Sequence, residues 1–182
     1  MILPAGKLVI ANQRVSRRFI EARRAKRGWT LNQIVLRARL AILSPLMVAI
    51  AKAEVLDDVE IDEDVYLSER GHFVIGARRI GAGTHIHHCV TIGRDLFDGG
   101  RPLIGRDVWI GSDCVIYGNI AIGDGATILP GTVLTKSIPP RVVVQGNPAR
   151  VVRRDFDNSS LRRSHDPEVT VLPDAPAAVA KC

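Results

Sequence analysis

A chain of 182 residues with a formal net charge of +6 is long enough for one hydrophobic core and short for two. Its 4% aromatic content excludes a core filled by rings. Three cysteines, an odd number without close pairing, exclude a disulfide framework and make a reducing, cytoplasmic compartment the expectation.

The positive charge is concentrated at the N-terminus, where residues 7–52 hold eleven Lys or Arg against one acid, Glu21. Within 1–54 the apolar residues fall at helical spacing, first Val9, Ile10, Val15, Phe19 and Ile20, then Leu31, Ile34, Val35, Leu36, Leu40 and Leu43. Gly28 and Thr30 read as a helix stop and a new N-cap. The spacing predicts a short basic segment of two helices. The apolar run 40–50 is too short to cross a bilayer and contains Pro45, and no secretory signal pattern is expected. Such helices cap a β-structure or pack on a neighbouring subunit, and peripheral contact with an anionic membrane is the other use open to them. Basic residues without a reading motif or interleaved aromatics make nucleic acid an unexpected partner.

From Val55 a six-residue beat takes over. An apolar residue opens each unit: Val55, Ile61, Leu67, Phe73, Ile80, Ile86, Ile92, Ile104, Ile110, Ile116, Ile122, Ile128 and Leu134. Fifth positions are mostly small or β-branched, as at Val59, Thr84, Val90, Val108, Cys114 and Thr132. An inward opener and an inward fifth residue separated by turn formers describe a short strand and a corner. Three units make a triangular coil, and coils stack at about 4.8 Å. The predicted class is all-β, a parallel β-helix over 55–153.

Departures from a repeat are where chemistry belongs. One extra residue falls between Phe73 and Ile80. The larger break is 93–102, which has no apolar opener at the expected position, Asp98. It is predicted to leave the prism as a loop hinged at Gly99 and Gly100, with Arg94, Asp95, Asp98 and Arg101 lining an acceptor site. Three of the five histidines, His85, His87 and His88, lie just before it. With Ile86 inward, His87 and His88 face outward. Counting back one coil sets His88 above Glu69, near enough for a carboxylate to orient the imidazole while its other nitrogen takes a proton from a hydroxyl. The catalytic candidates are therefore His88 and Glu69, with His87 and His85 as alternatives for the base. Beyond Arg154 the composition turns to Asp, Ser, Pro and Ala, and 154–182 reads as a flexible or surface-draped tail.

The repeat, the tract from Ile86 to Gly93, the stretch from Ile104 to Gly111 and the ending Gln145-Gly146-Asn147-Pro148-Ala149-Arg150 together resemble the hexapeptide-repeat acyltransferases. The similarity is to the serine O-acetyltransferase-like branch, which includes acetyltransferases of surface polysaccharides. It implies a left-handed β-helix, a homotrimer with sites between adjacent prisms and an acetyl-CoA donor. His88 sits where related sugar-nucleotide acyltransferases place the base, with a backbone N–H of a neighbouring coil for the oxyanion. Pantetheine is expected along Gly111, Ser112 and Gly118, and the CoA phosphates at Lys136, Arg141 and Arg150. Serine acetyltransferases carry functional histidines where this chain has Glu69 and Arg101-Pro102, so a sugar hydroxyl of a surface polysaccharide or its precursor is the expected acceptor, with L-serine as the alternative. Prism-shaped carbonic anhydrases need zinc-binding histidines on two coils. No histidine follows His88 before His165, and no metal is expected. The non-enzyme alternative is a trimeric scaffold whose basic helices bind an acidic partner.

Overall fold

An aliphatic residue at every sixth position, with turn-forming residues between, is buried when the chain turns a corner after each unit and returns to the same face three units later. The computed structural model describes Ile10, Arg14 and residues 53–56, 58–62, 64–68, 72–95 and 97–163. The first coil is β1 (Ala53–Val55), β2 (Glu60–Ile61) and β3 (Tyr66–Leu67), and the second is β4 (Phe73–Ile75), β5 (Arg79–Ile80) and β6 (His85–Ile86). The third is β7 (Val90–Gly93), β8 (Leu103–Ile104) and β9 (Trp109–Ile110), and the fourth β10 (Val115–Tyr117), β11 (Ala121–Ile122) and β12 (Thr127–Ile128). A fifth coil keeps β13 (Val133–Leu134) and β14 (Val143–Gln145), with the side between them reduced to a bridge from Ile122 to Ile138. Face A stacks β1, β4, β7, β10 and β13, and face B stacks β2, β5, β8 and β11. Face C stacks β3, β6, β9, β12 and β14, with β15 (Arg150–Arg153) last. The pairings are parallel until β15, which returns antiparallel on β14. The result is a parallel β-solenoid.

The register builds three columns of aliphatic side chains. Val55, Ile75, Ile92, Ile116 and Leu134 line face A, and Ile61, Ile80, Ile104 and Ile122 line face B. Leu67, Ile86, Ile110, Ile128 and Val144 line face C. Each fully buried side chain contributes about 1.5–3 kcal/mol, so stability is spread along the stack. The register corrects one expectation: Ile75, not Phe73, opens the unit on face A. Phe73 pairs with Val90 and Ile75 with Ile92, because the unit that precedes Ile75 exceeds six residues by two and the one that follows falls short by one. The shortfall turns Ala77 inward and leaves Arg78 exposed.

Corners recur one above another. At the turn from face B to face C, Asp64, Gly83, Asp107, Gly125 and Arg141 all have φ between 54° and 71°. At the turn from face C to face A, Cys89, Asp113 and Gly131 do the same, with φ of 57°, 58° and 71°. Gly and Asp are the residues that tolerate this left-handed conformation; Arg141 and Cys89 adopt it under strain, the latter directly after His88.

Described residues on both sides of the prism pack on it. Ile10 joins the buried core, and Arg14 donates to the carbonyl of Asp62 at 3.1 Å. The remainder of the two predicted N-terminal helices lies outside the described residues. After β15 the segment through α1 (Ser159–Arg163) is docked as far as Arg163. Asn158, 2% exposed, donates through Nδ2 to the carbonyls of Asp107, Gly125 and Ala126 at 2.9, 3.2 and 3.3 Å. Arg162 reaches Asp107 at 2.5 Å and the amide oxygen of Asn158 at 3.0 Å, and Leu161 is buried. Among the described residues no helix is long and apolar enough to cross a membrane.

Candidate active site

The histidine tract runs from face C around the corner to face A. Thr84 points inward and bridges two coils, donating to the Gly105 carbonyl at 3.0 Å and accepting from the Val108 amide at 3.3 Å. His85 lies on the outer side of face C between Tyr66 and Trp109 in the register, its ring 5.1 Å from that of Tyr66. His87 is only 9% exposed, with its ring 4.7 Å from that of Trp109. Burial, and secondarily the neighbouring His88, push its pKa below the ordinary value of 6.5, as expected for an imidazole that loses solvation. His88 is half-buried at the turn itself. Its Nδ1 lies 3.5 Å from Oγ of Ser112, one coil above, and its carbonyl accepts the Asp113 amide at 3.2 Å. The tract thus sorts itself: His85 within a face, His87 sealed under an indole, His88 with a ring open to a reactant. Leu67 pairs with Ile86 as counted, while Glu69 lies outside the described residues.

The loop 93–102 leaves from the opposite edge of face A. It is internally ordered: the Asp95 carboxylate accepts the amides of Phe97 and Asp98 at 2.7 and 3.4 Å, and Asp98 accepts that of Gly100 at 2.6 Å. The Asp95 amide donates to the Gly100 carbonyl at 2.6 Å. Gly100 presses on coil four, where a Cβ would meet that of Asn119 at 2.5 Å. Arg101 makes a two-pronged pair with Asp58 of the first coil at 2.7 and 2.6 Å, anchoring the loop rather than facing a ligand. Arg94 and Asp98 are exposed, and Phe97 at the tip is 98% exposed. Between this loop and His88 of the same chain stands β7, about 13 Å of extended backbone.

The predicted donor residues are distributed over different edges. Gly111 is a packing glycine, since a Cβ there would meet the Pro130 nitrogen at 2.7 Å. Ser112 stands over His88. Gly118, with φ of 106°, lies under the loop, where a Cβ would sit 3.6 Å from the Asp95 carboxylate. Lys136 follows β13 at the turn away from face A, and Arg141 precedes β14 at the turn into face C. Arg150 pairs with Gln145, next to Gly146, whose carbonyl accepts the Val133 amide at 3.0 Å. Of the three cations, Arg150 alone shares the edge between faces C and A with His88 and Ser112. On that edge Gly131 has open space, with nothing within 4 Å of a Cβ, which suits the approach of a slender amide chain. Sequence reasoning missed Trp109 as the lid on His87 and Phe97 as the loop's apolar tip. Among the described residues no three His, Cys, Asp or Glu side chains converge on a common point.

The family model of the bacterial transferase hexapeptide (six repeats) matches residues 101–136, within coils whose register is that of a six-residue repeat. The same six-residue register runs through the described coils on either side of that match. This chain is 38% identical over 102 residues to galactoside O-acetyltransferase of Escherichia coli strain K12, covering 56% of this chain and 43% of that protein. It is 37% identical over 110 residues to serine acetyltransferase 2 of Arabidopsis thaliana, covering 58% and 34%. The crystal structure of Neisseria gonorrhoeae serine acetyltransferase superposes with a TM-score of 0.69 at 26% identity, over 86% of this chain and 57% of that one. The chain matches less than half the length of these curated relatives.

Proposed function

We propose that this chain is an acetyl-CoA-dependent O-acetyltransferase acting in the cytoplasm on a hydroxyl of a small acceptor, a sugar of a surface polysaccharide or its precursor. The observation that carries the reading is His88: a half-exposed imidazole at a corner of a hexapeptide prism, beside an open glycine edge that leads to Arg150. Acetyl-CoA, when bound, supplies an activated thioester. His88 takes the acceptor's hydroxyl proton through Nε2 and returns it to the departing thiol, while Arg150 holds donor phosphate.

A homotrimer is part of the reading. Face A presents Thr91, Val115, Val133 and Tyr117 outward, a flat surface of mostly β-branched residues suited to packing on a second copy. His88 marks one edge of face A and the loop the other, at the same height on the prism. A threefold axis parallel to the prism and facing face A sets the loop of one copy beside His88 of the next. The likeness to serine acetyltransferases favours L-serine as the second reading.

Release of CoA thiol from acetyl-CoA, followed against sugars, nucleotide sugars and L-serine, tests both. Turnover is expected with a sugar and about 10²- to 10⁴-fold slower in His88→Ala. Turnover with L-serine alone reverses the acceptor assignment, and near-normal turnover in His88→Ala removes the base.

A further inference from the structure

His88 needs something to hold its ring, because a base whose imidazole rotates freely offers its lone pair to the acceptor only part of the time. The sequence pointed one coil down, to a carboxylate. The contact in the structure is one coil up: Nδ1 of His88 and Oγ of Ser112 are 3.5 Å apart. The two turns that carry them are copies of each other, since Cys89 and Asp113 share the same left-handed φ, 57° and 58°. The Asp113 amide bonds to the His88 carbonyl, locking the turns in register. Ser112 therefore stands over the imidazole as a consequence of coil stacking, and the residue that stacks on the neighbouring His87 is Gly111, which has no side chain to offer. Among the described residues no carboxylate is hydrogen-bonded to the His88 ring.

We propose that Ser112 is the positioning residue of the base: its hydroxyl oxygen accepts the Nδ1–H of neutral His88, fixing the tautomer in which Nε2 carries the free lone pair and faces the acceptor. The proton taken from the acceptor goes to Nε2 and leaves from it, and Nδ1–H stays with Ser112 throughout. The separation of 3.5 Å is the outer limit of a hydrogen bond, as is common before a substrate closes on a catalytic group. Ser112 carries no charge, so it orients the ring without adding a counter-ion to the imidazolium. The nitrogen that a carboxylate partner such as Glu69 would require is already taken. This inference rests on His88 being the base of the proposed acetyl transfer.

Nitrogen NMR of the histidine rings in the full chain distinguishes the two neutral tautomers without requiring turnover, with His88 assigned by the loss of its signals in His88→Gln. Wild type and Ser112→Thr, which keeps the hydroxyl, are expected to carry the proton on Nδ1. Ser112→Ala is expected to move it to Nε2, the form a free imidazole side chain prefers in water. In thiol release, Ser112→Ala should lose about tenfold in kcat, the scale of one neutral hydrogen bond, with the KM for acetyl-CoA unchanged and activity restored in Ser112→Thr. An Nε2–H wild type overturns the proposal, as does a tautomer that responds to Glu69→Gln and ignores Ser112→Ala. A rise in the KM for acetyl-CoA with kcat intact would make Ser112 a donor contact instead. If no acceptor supports acetyl transfer, the functional reading fails, and the tautomer still decides whether Ser112 holds the ring.

Discussion

His87 and His88 are neighbours in the chain with opposite surroundings, and the difference has a measurable consequence. His87 under Trp109 is kept neutral by burial, its pKa below the ordinary 6.5, whereas in the unfolded chain it takes up a proton as the pH falls through that value. Below about pH 6.5 the unfolded state thus binds more protons, and stability declines until the folded His87 itself protonates. Denaturant midpoints should fall between about pH 7.5 and pH 5 in wild type, and fall less in His87→Phe, whose ring fills the space without titrating. Equal slopes in the two proteins would assign the acid sensitivity to other groups. Period alone separated these two histidines from the inward Ile86, because alternation about a buried opener is a sequence property. Which of them an indole would cover was not legible, since Trp109 is a full coil away in sequence and adjacent only after stacking. The pairing of Ser112 with His88 was hidden for the same reason: the two are a full coil apart in sequence and meet only after stacking.

The loop 93–102 behaves as an element in its own right, ordered by its own aspartates and fastened at its exit by Arg101 to Asp58. That pair is partly exposed, and exposed ion pairs contribute only about 0–1 kcal/mol to stability. Asp58→Asn should therefore leave the melting temperature nearly unchanged while raising the acceptor KM several-fold and sparing that for acetyl-CoA. If both constants stay as in wild type, the fastening has no part in acceptor binding. The loop was legible because the six-residue spacing fails there, with Asp98 where an apolar opener is due and two glycines directly after it. The slip at Ile75 was not, because Phe73 is as apolar as a true opener, and an over-long unit followed by a short one nearly restores the phase. The donor residues failed to group for a related reason: Lys136, Arg141 and Arg150 are close in sequence, yet a chain that turns a corner every few residues carries near neighbours to different edges.

On the scale of the whole molecule, the segment after Arg154 clasps the solenoid from outside. Asn158 spans carbonyls of coils three and four through one buried amide, and Asp107 of the corner column receives Arg162. Asn158→Ala leaves those carbonyls without their donor and should cost about 1–3 kcal/mol, read as a lower thermal midpoint by calorimetry. An unchanged midpoint would mean that the clasp adds nothing to the stack. The composition of this stretch, polar and poor in aliphatics, concealed the docking, because the bonds are made to main-chain carbonyls, which no side-chain pattern records. The reversal at β15 acts at the same scale. A column of parallel strands is a growing template, and its last rung would accept another rung from any chain presenting a compatible edge, as in a cross-β fibre. By doubling back antiparallel, with Arg150 and Arg153 at the two ends of the returning strand, the chain ends face C in like charges that repel a second copy of the same edge. On face C the column of parallel rungs therefore ends at β15, and the geometry it shares with a fibril is closed off at that edge by the chain itself.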